Sequence, residues 1–348
     1  MSTTTTVNPS VLNPARILET GLAFWPSKVL LTAVKLDLFT FLSRDSKTAE
    51  EIRIALNLHS RGIYDFLDTL VALQFLRREG QGEQGTYSNT PETSLFLNRG
   101  EPTYVGGMLI MANDRLYPFW NNLEEALATG KPQNESKGGG KSLFEALYAD
   151  EQRLEGFVEA MGSFQVANFR AFAGQFDFSP YQTHCDIGGA GGHFSAQVVT
   201  FNPAIQSISF DLPAVENIAK RNLQAMQVKH NVEVVSGDFF KDQFPNADVI
   251  TMGNILHDWD LPTKKMLIKK AYDALPAGGA LAVIENVIDD KREKNAFGIM
   301  MSLNMLIETD GGFDYTGADF HEWASEAGFT SMKVMHLNGP TSALIAFK

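Results

Sequence analysis

Only one cysteine, Cys185, occurs in the 348 residues, so no disulfide can form within the chain. A reducing cytoplasm suits such a chain. No uninterrupted apolar run reaches the roughly 18 residues that a membrane helix needs. The opening residues, MSTTTTVNPS, have neither the basic end nor the apolar core of a secretory leader. No membrane partner is therefore expected. Basic residues are scarce: 29 Lys and Arg stand against 41 Asp and Glu, a net charge of −12. A net-acidic chain is a poor default partner for nucleic acid, and none is expected. Paired cysteines and an H-x-x-x-H spacing are also missing. Asp258 and Asp260 lie near His257, but such residues make metal sites only where several converge, and no metal is expected.

What is present falls into two halves, with domains expected over 1–105 and 106–348. The first reads as mostly helical, with apolar residues every three or four positions from ARILETGLAFWPSKVLLTAVKLDLFTFLS onward. Trp25-Pro26 should break or kink that run. Thr48 with Glu51 three residues on predicts a capping box. A helix over Gly62 to Leu76 follows, and GQGEQGTYSNTPETSLFL reads as turn, strand and turn. Helix, break, helix and wing is the grammar of a winged helix. KPQNESKGGGKS reads as a loop, with a further helix from Leu143 to Phe176.

From Thr183 short apolar runs alternate with helical stretches. The strand candidates are HCDIGG, SISFDLP, VEVVSGDF, ADVITMGN and ALAVIENV. Such alternation predicts a parallel sheet covered by helices. SMKVMHLNGPTSALIAFK reads as a terminal antiparallel hairpin turning at Asn338-Gly339. The stretch DIGGAGG puts four glycines into five positions after the first strand. A phosphate loop wants a lysine there and a dinucleotide fingerprint wants a third glycine; neither is met. The loop suits a ligand with an adenosine and no phosphate. Asp211 and Asp238 end the second and third strands. A carboxylate at the first position can accept ribose hydroxyls, and one at the second an adenine amino group, with Phe239 against the ring.

DIGGAGG, SFDLP, GDFF, ILHDW and GGALAVIENV, in that order, resemble the S-adenosylmethionine-dependent O-methyltransferases of the caffeate, acetylserotonin and hydroxyneurosporene type. The resemblance spans nearly the whole chain. It implies a Rossmann-like class I methyltransferase domain, a mostly parallel sheet with a C-terminal antiparallel hairpin. A mainly α winged-helix dimerisation domain precedes it, and a homodimer is implied. The cofactor would be S-adenosylmethionine, leaving as S-adenosylhomocysteine, at Gly188, Asp211, Leu212, Asp238 and Phe239. His257 would be the general base, oriented by Glu285 and by Asp314, the latter in GGFDYT where the family carries glutamate. Aspartate reaches about one carbon bond less. Gly253 stands where many plant members have an adenine-side lysine. Met111, Phe157, Met161, Phe164, Asp258, Asn304, Met305 and Thr309 are the implied substrate contacts, with Asp258 facing a second hydroxyl.

A phenol holds its proton to a pKa near ~10, so methylation of a small aromatic hydroxyl needs a base such as neutral histidine. Methylation of carbon or nitrogen on the same scaffold stays open, since a fold does not fix chemistry. A winged-helix DNA-binding regulator is the remote alternative. Arg53, Arg61, Arg77 and Arg78 are mildly basic, but Glu50, Glu51, Asp65, Asp68 and Glu79 are interspersed and leave no clean phosphate-binding face.

Overall fold

The computed structural model describes residues 12–137, 139 and 150–348. The start of the helix expected from Leu143 and most of the preceding glycine run lie outside the described residues. The chain divides into two units, Met1–Asp114 and Arg115–Lys348.

The first unit contains α1 (Ala15–Gly21), α2 (Phe24–Lys35), α3 (Leu38–Phe41), β1 (Lys47–Thr48), α4 (Ala49–Ala55) and α5 (Ile63–Ala72). β2 (Leu76–Glu79), β3 (Thr86–Asn89), α6 (Pro91–Phe96) and α7 (Gly106–Met111) complete it. α7 packs on α2, so residues 106–111, assigned above to the second domain, sit with the first unit. The long apolar run breaks before Phe24, and Pro26 falls in the first turn of α2, where its missing N–H costs no helical bond. The capping box forms: Thr48 N–H donates to Glu51 Oε2 at 2.7 Å and Glu51 N–H to Thr48 Oγ1 at 3.3 Å. β1, β3 and β2 make a small antiparallel sheet in that order, and Leu38, Phe39, Ile52, Leu67, Leu70 and Tyr87 fill the core. α1 buries nothing. Ile17 is 75% exposed and Trp25 59%. Ala15–Lys35 is, among the described residues, the one stretch apolar and long enough by composition to cross a membrane.

The second unit opens with α8 (Tyr117–Trp120), α9 (Leu123–Thr129) and the long α10 (Glu151–Gln175). There follow β4 (Thr183–Ile187), α11 (His193–Phe201), β5 (Gln206–Asp211), α12 (Glu216–Ala225), β6 (Val232–Ser236) and β7 (Val249–Gly253). Then come α13 (Leu261–Ala274), β8 (Ala280–Glu285), α14 (Ala296–Glu308), α15 (Gly317–Ala327), β9 (Ser331–His336) and β10 (Ser342–Phe347). The seven strands lie in the order β6-β5-β4-β7-β8-β10-β9. The first five are parallel and β10 runs antiparallel to both its neighbours. β8 is buried at all six positions, as expected of a strand covered on both faces. One face packs Ile187, Met252, Leu256, Leu267 and Val283 with α13 and α15. The other packs Phe169, Phe172, Phe176 and Phe194 from α10 and α11 onto Val249, Ala282 and Ile284.

The strand order reverses at β4, between β5 and β7. In open α/β sheets ligands bind beyond the carboxyl ends at such a point. Gly188, Asp211, Asp238, His257 and Glu285 all lie at or just past those ends. Within the sheet His184 is fully buried. Its ring nitrogens lie 2.8 Å from Ser207 Oγ and 2.9 Å from Thr251 Oγ1, and Thr251 donates to Asp186. Burial lowers its pKa to about 3 and keeps it neutral.

Gly253 ends β7, and the Phe169 ring fills the space beside it: a Cβ there would come within 2.8 Å of that ring. Any side chain at that strand end would have to displace the Phe169 ring. Gly253→Ala is expected to destabilise the second unit by about 1–3 kcal/mol. Adding Phe169→Leu should recover part of the loss in urea unfolding; no loss in the single variant would contradict the packing.

Candidate active site

β7 ends at Gly253 and the chain turns through Asn254 (φ 55) into a short helical turn, Leu256–Asp258. That turn buries His257. Glu285 comes from the end of β8, the neighbouring strand, and its Oε1 accepts His257 N–H at 3.3 Å. Asp314 arrives from elsewhere. Ile288 bridges to Thr316 in parallel, with Ile288 N–H donating to Tyr315 O at 3.0 Å, which draws 313–316 alongside the end of β8. The three side chains then converge. His257 Nδ1 lies 3.7 Å from Glu285 Oε2 and 3.5 Å from Asp314 Oδ1. Asp258 Oδ1 stands 3.5 Å from the other ring nitrogen, Nε2. Aspartate in place of glutamate thus comes to 3.5 Å of the ring, near it but without a hydrogen bond.

Burial by itself would lower the pKa of His257. The carboxylates of Glu285, Asp258 and Asp314 outweigh it and raise the value to about 10. Burial raises Asp258 and Glu285, Glu285 to about 7, against the pull of the histidine. His257 Nδ1, Glu285 Oε2 and both Asp314 oxygens are buried without a hydrogen-bond partner, so the site holds polar capacity that the fold does not use. One ligand atom from each of His257, Glu285 and Asp314 lies within 4.8 Å of the others. Metal sites and acid–histidine clusters share that spacing.

At the other end of the edge, the glycine loop is shaped by the chain itself. Gly188 has φ +74, and a Cβ on it would strike Ile255; one on Gly189 would lie 2.3 Å from Ser209 Oγ. Asp211 ties the loop to β5: Oδ2 accepts Ala190 N–H at 2.8 Å and Oδ1 accepts Leu212 N–H at 2.6 Å. Burial raises its pKa against those bonds. Asp238 pairs with Lys241 at 2.8 Å and accepts Phe240 N–H, which lower its pKa. Phe239 stands edge-on to Trp259, centroids 5.8 Å apart. Asn254 Oδ1 is buried and unpartnered at the same edge. A cradle of bare backbone, two acids and an aromatic face suits an adenosyl group.

The expected substrate contacts fall in several places. Met111 belongs to the first unit. Phe157 packs beside Leu154, Val158, Val215, Ile218 and Ala190, close to the glycine loop. Met161 and Phe164 are half-buried on α10. Asn304 Oδ1 accepts Trp120 Nε1–H at 2.9 Å. Met305 is buried. Thr309 commits its hydroxyl to backbone, donating to Met305 O and accepting Gly312 N–H, both at 2.8 Å. Sequence reasoning passed over Trp120, and also Lys264, which is fully buried near the acids; in TKKM it is not distinguishable from the half-buried Lys265 beside it.

Residues 120–330 match the O-methyltransferase domain family, and residues 18–99 the O-methyltransferase dimerisation domain. The chain is 38% identical to the tetracenomycin polyketide synthesis 8-O-methyl transferase TcmO of Streptomyces glaucescens, over 99% of each chain. It is 29% identical to the N,N-dimethyltransferase OxyT of Streptomyces rimosus, over 94% of this chain and 93% of that one. The crystal structure of human N-acetylserotonin methyltransferase with S-adenosylmethionine superposes with a TM-score of 0.89 at 28% identity, over 98% of this chain and 99% of the other. The protein belongs to the S-adenosylmethionine-dependent O-methyltransferase family with an N-terminal dimerisation domain.

The raised His257 value has a measurable sign. The stability that comes from the raised His257 value is present below the ordinary histidine pKa of 6.5 and is lost as pH rises toward 10. In the free protein the His257 ring should therefore stay protonated well above pH 6.5 by NMR titration, and Glu285→Gln should lower its midpoint. A wild-type midpoint at or below 6.5 would contradict the cluster as described.

Proposed function

We propose that this methyltransferase acts on a hydroxyl of a small, polyketide-like aromatic molecule, with His257 as its general base. The observation that carries this reading is the buried His257 ring with Glu285 and Asp314 on Nδ1 and Asp258 at Nε2. Two acids on one nitrogen fix the ring's orientation and stabilise its charged form. Acids on that scale raise its proton affinity toward that of a phenol, and proton transfer is efficient where the two match.

S-adenosylmethionine supplies an electrophilic sulfonium methyl and leaves as S-adenosylhomocysteine. Gly188 offers close backbone, Asp211 the acceptor for ribose hydroxyls with Leu212 beside it, Asp238 the acceptor for an adenine amino group, and Phe239 an apolar face. His257 must begin each turnover neutral at Nε2. Its excess proton affinity falls once a cation shares the cleft, because like charge disfavours the imidazolium. Nε2 then takes the hydroxyl proton while Nδ1–H stays directed at the acids. Half-buried Met161 and Phe164 and the Asn304 amide are the acceptor-side contacts on this reading. Asp258, beside Nε2, contacts a second hydroxyl. Buried Met305 and backbone-bound Thr309 shape that wall from behind, and Phe157 from the loop side. Glu285 and Asp314 act as the base's acids, and no metal is assigned to them.

The identity to TcmO supports a polyketide-like acceptor, and the likeness to OxyT keeps nitrogen methylation as the second reading. An amine needs no such strongly supported base, so the acid cluster favours oxygen. We further propose a homodimer in the cytoplasm. The exposed apolar faces of α1 and α2, which overlap the stretch matching the dimerisation domain from residue 18, suit a second copy better than a lipid bilayer. The regulator reading loses support because Arg53 and Arg78 are already paired with Glu50 and Asp68.

His257→Gln should lower turnover by roughly 10²–10⁴-fold with S-adenosylmethionine affinity unchanged by calorimetry; unaltered turnover would remove His257 from the mechanism. Labelled donor offered with polyketide phenols should give an O-methyl product by NMR, and a new C- or N-methyl would overturn the oxygen assignment. Light scattering should find a dimer at micromolar concentration, and Ile17→Glu with Trp25→Glu should release monomer. A wild-type monomer would refute the assembly.

A further inference from the structure

Lys264 is buried completely, on the first turn and a half of α13. That position is costly three times over. A buried ammonium loses its hydration. It rarely persists without a partner. The amino end of a helix also disfavours positive charge. Among the described residues no carboxylate forms a close ion pair with Nζ. Its contacts are a carbonyl and two rings. Nζ donates to Trp259 O, on the turn that carries His257. It also lies 3.7 Å from the centroid of Phe313 and 5.7 Å from that of Tyr315, the two residues flanking Asp314. A cation over an aromatic face is attracted to it, more so when desolvated. The ammonium thus joins the turn bearing the histidine to the segment bearing one of its acids. A methionine would fill similar space at no electrostatic cost, so filling space does not account for a lysine.

We propose that Lys264 is a positioning residue of the catalytic histidine: its ammonium clamps the His257 turn to the Asp314 segment and offsets the surplus negative charge of the acids around the ring. The charged groups acting on His257 are Asp258, Glu285 and Asp314. Those acting on Lys264 are the same three acids with Asp260, and Tyr315 is the titratable ring beside it. Burial lowers Lys264 to about 8 against the pull of those acids, so the ammonium is present at neutral pH. Removing it leaves the negative charge of the acids opposed by the imidazolium alone, and His257 holds its proton more tightly.

The inference rests on His257 being the base, and the test separates the two. Lys264→Gln keeps a donor for the Trp259 carbonyl without the charge; Lys264→Met removes both. Each is checked for fold by circular dichroism and for S-adenosylmethionine affinity by calorimetry, which should stay as in wild type. In the unloaded proteins, NMR titration should show the His257 midpoint moved up in both variants, by about one unit, a tenfold change in proton affinity. The acid limb of kcat/KM should move up with it, so that activity at pH 7 falls roughly tenfold and recovers at higher pH. If Met fails to fold, Gln alone decides. A rate that falls equally at every pH, or a His257 midpoint that does not move, overturns the proposal and leaves Lys264 a packing residue. A moved midpoint with an unmoved kinetic limb instead overturns His257 as the base, and the positioning role with it.

Discussion

Charge balance in a volume shielded from water governs this fold's carboxyl-end edge. Three carboxylates, an imidazole and an ammonium meet there, supplied by Asp258, Glu285, Asp314, His257 and Lys264. No single one is tolerable alone at such burial. They are held by four separate stretches of chain: the turn after β7, which carries both His257 and Asp258, the end of β8, the 313–316 segment and the start of α13. The bridge between Ile288 and Thr316 and the ammonium over Phe313 are what bring those stretches into register. Apolar packing of Leu256, Val283 and Tyr315 in one core fixes the same stretches from the other side.

The alternation of strands and helices was readable because it rests on local pattern. β4, β5, β6, β7 and β8 each begin or end within a residue or two of the apolar runs that announced them, and Thr48 with Glu51 formed the expected cap. His257 and its acids were readable through resemblance rather than through periodicity. A lone histidine after a strand carries no signal by itself. Lys264 was not readable, since only the tertiary fold separates it from Lys265, which pairs with Glu326 at the surface. Asp314 looked short on paper; the fold brings it to 3.5 Å of the ring, where neither of its oxygens has a hydrogen-bond partner. Thr309 and Phe157 went the other way. Their residue types suit a pocket, yet the hydroxyl of one closes a helix end and the ring of the other packs beside the glycine loop.

The glycine loop teaches a related lesson. Four bare residues after a strand read as room for a ligand, and the loop does lie at the reversal of strand order. Yet Gly188 and Gly189 are also required by Ile255 and Ser209. The same absent side chains serve the chain's own close packing and the approach of an adenosyl group. A glycine pattern alone therefore cannot say which demand came first, and Asp211, tying loop to strand, is what makes the cradle a rigid one.

The antiparallel pairing of β10 with β8 sets Ser342 opposite Glu285. During synthesis, then, everything through the end of α15 can leave the ribosome while one edge of β8 is still unpaired. The strand that anchors an acid of the site is sealed only when residues 342–347 arrive. Assembly of the proton-handling end is for that reason a late event on the nascent chain. A stalled or truncated product presents an open strand edge of unpaired backbone groups instead of a half-working enzyme, the kind of surface that quality-control chaperones bind.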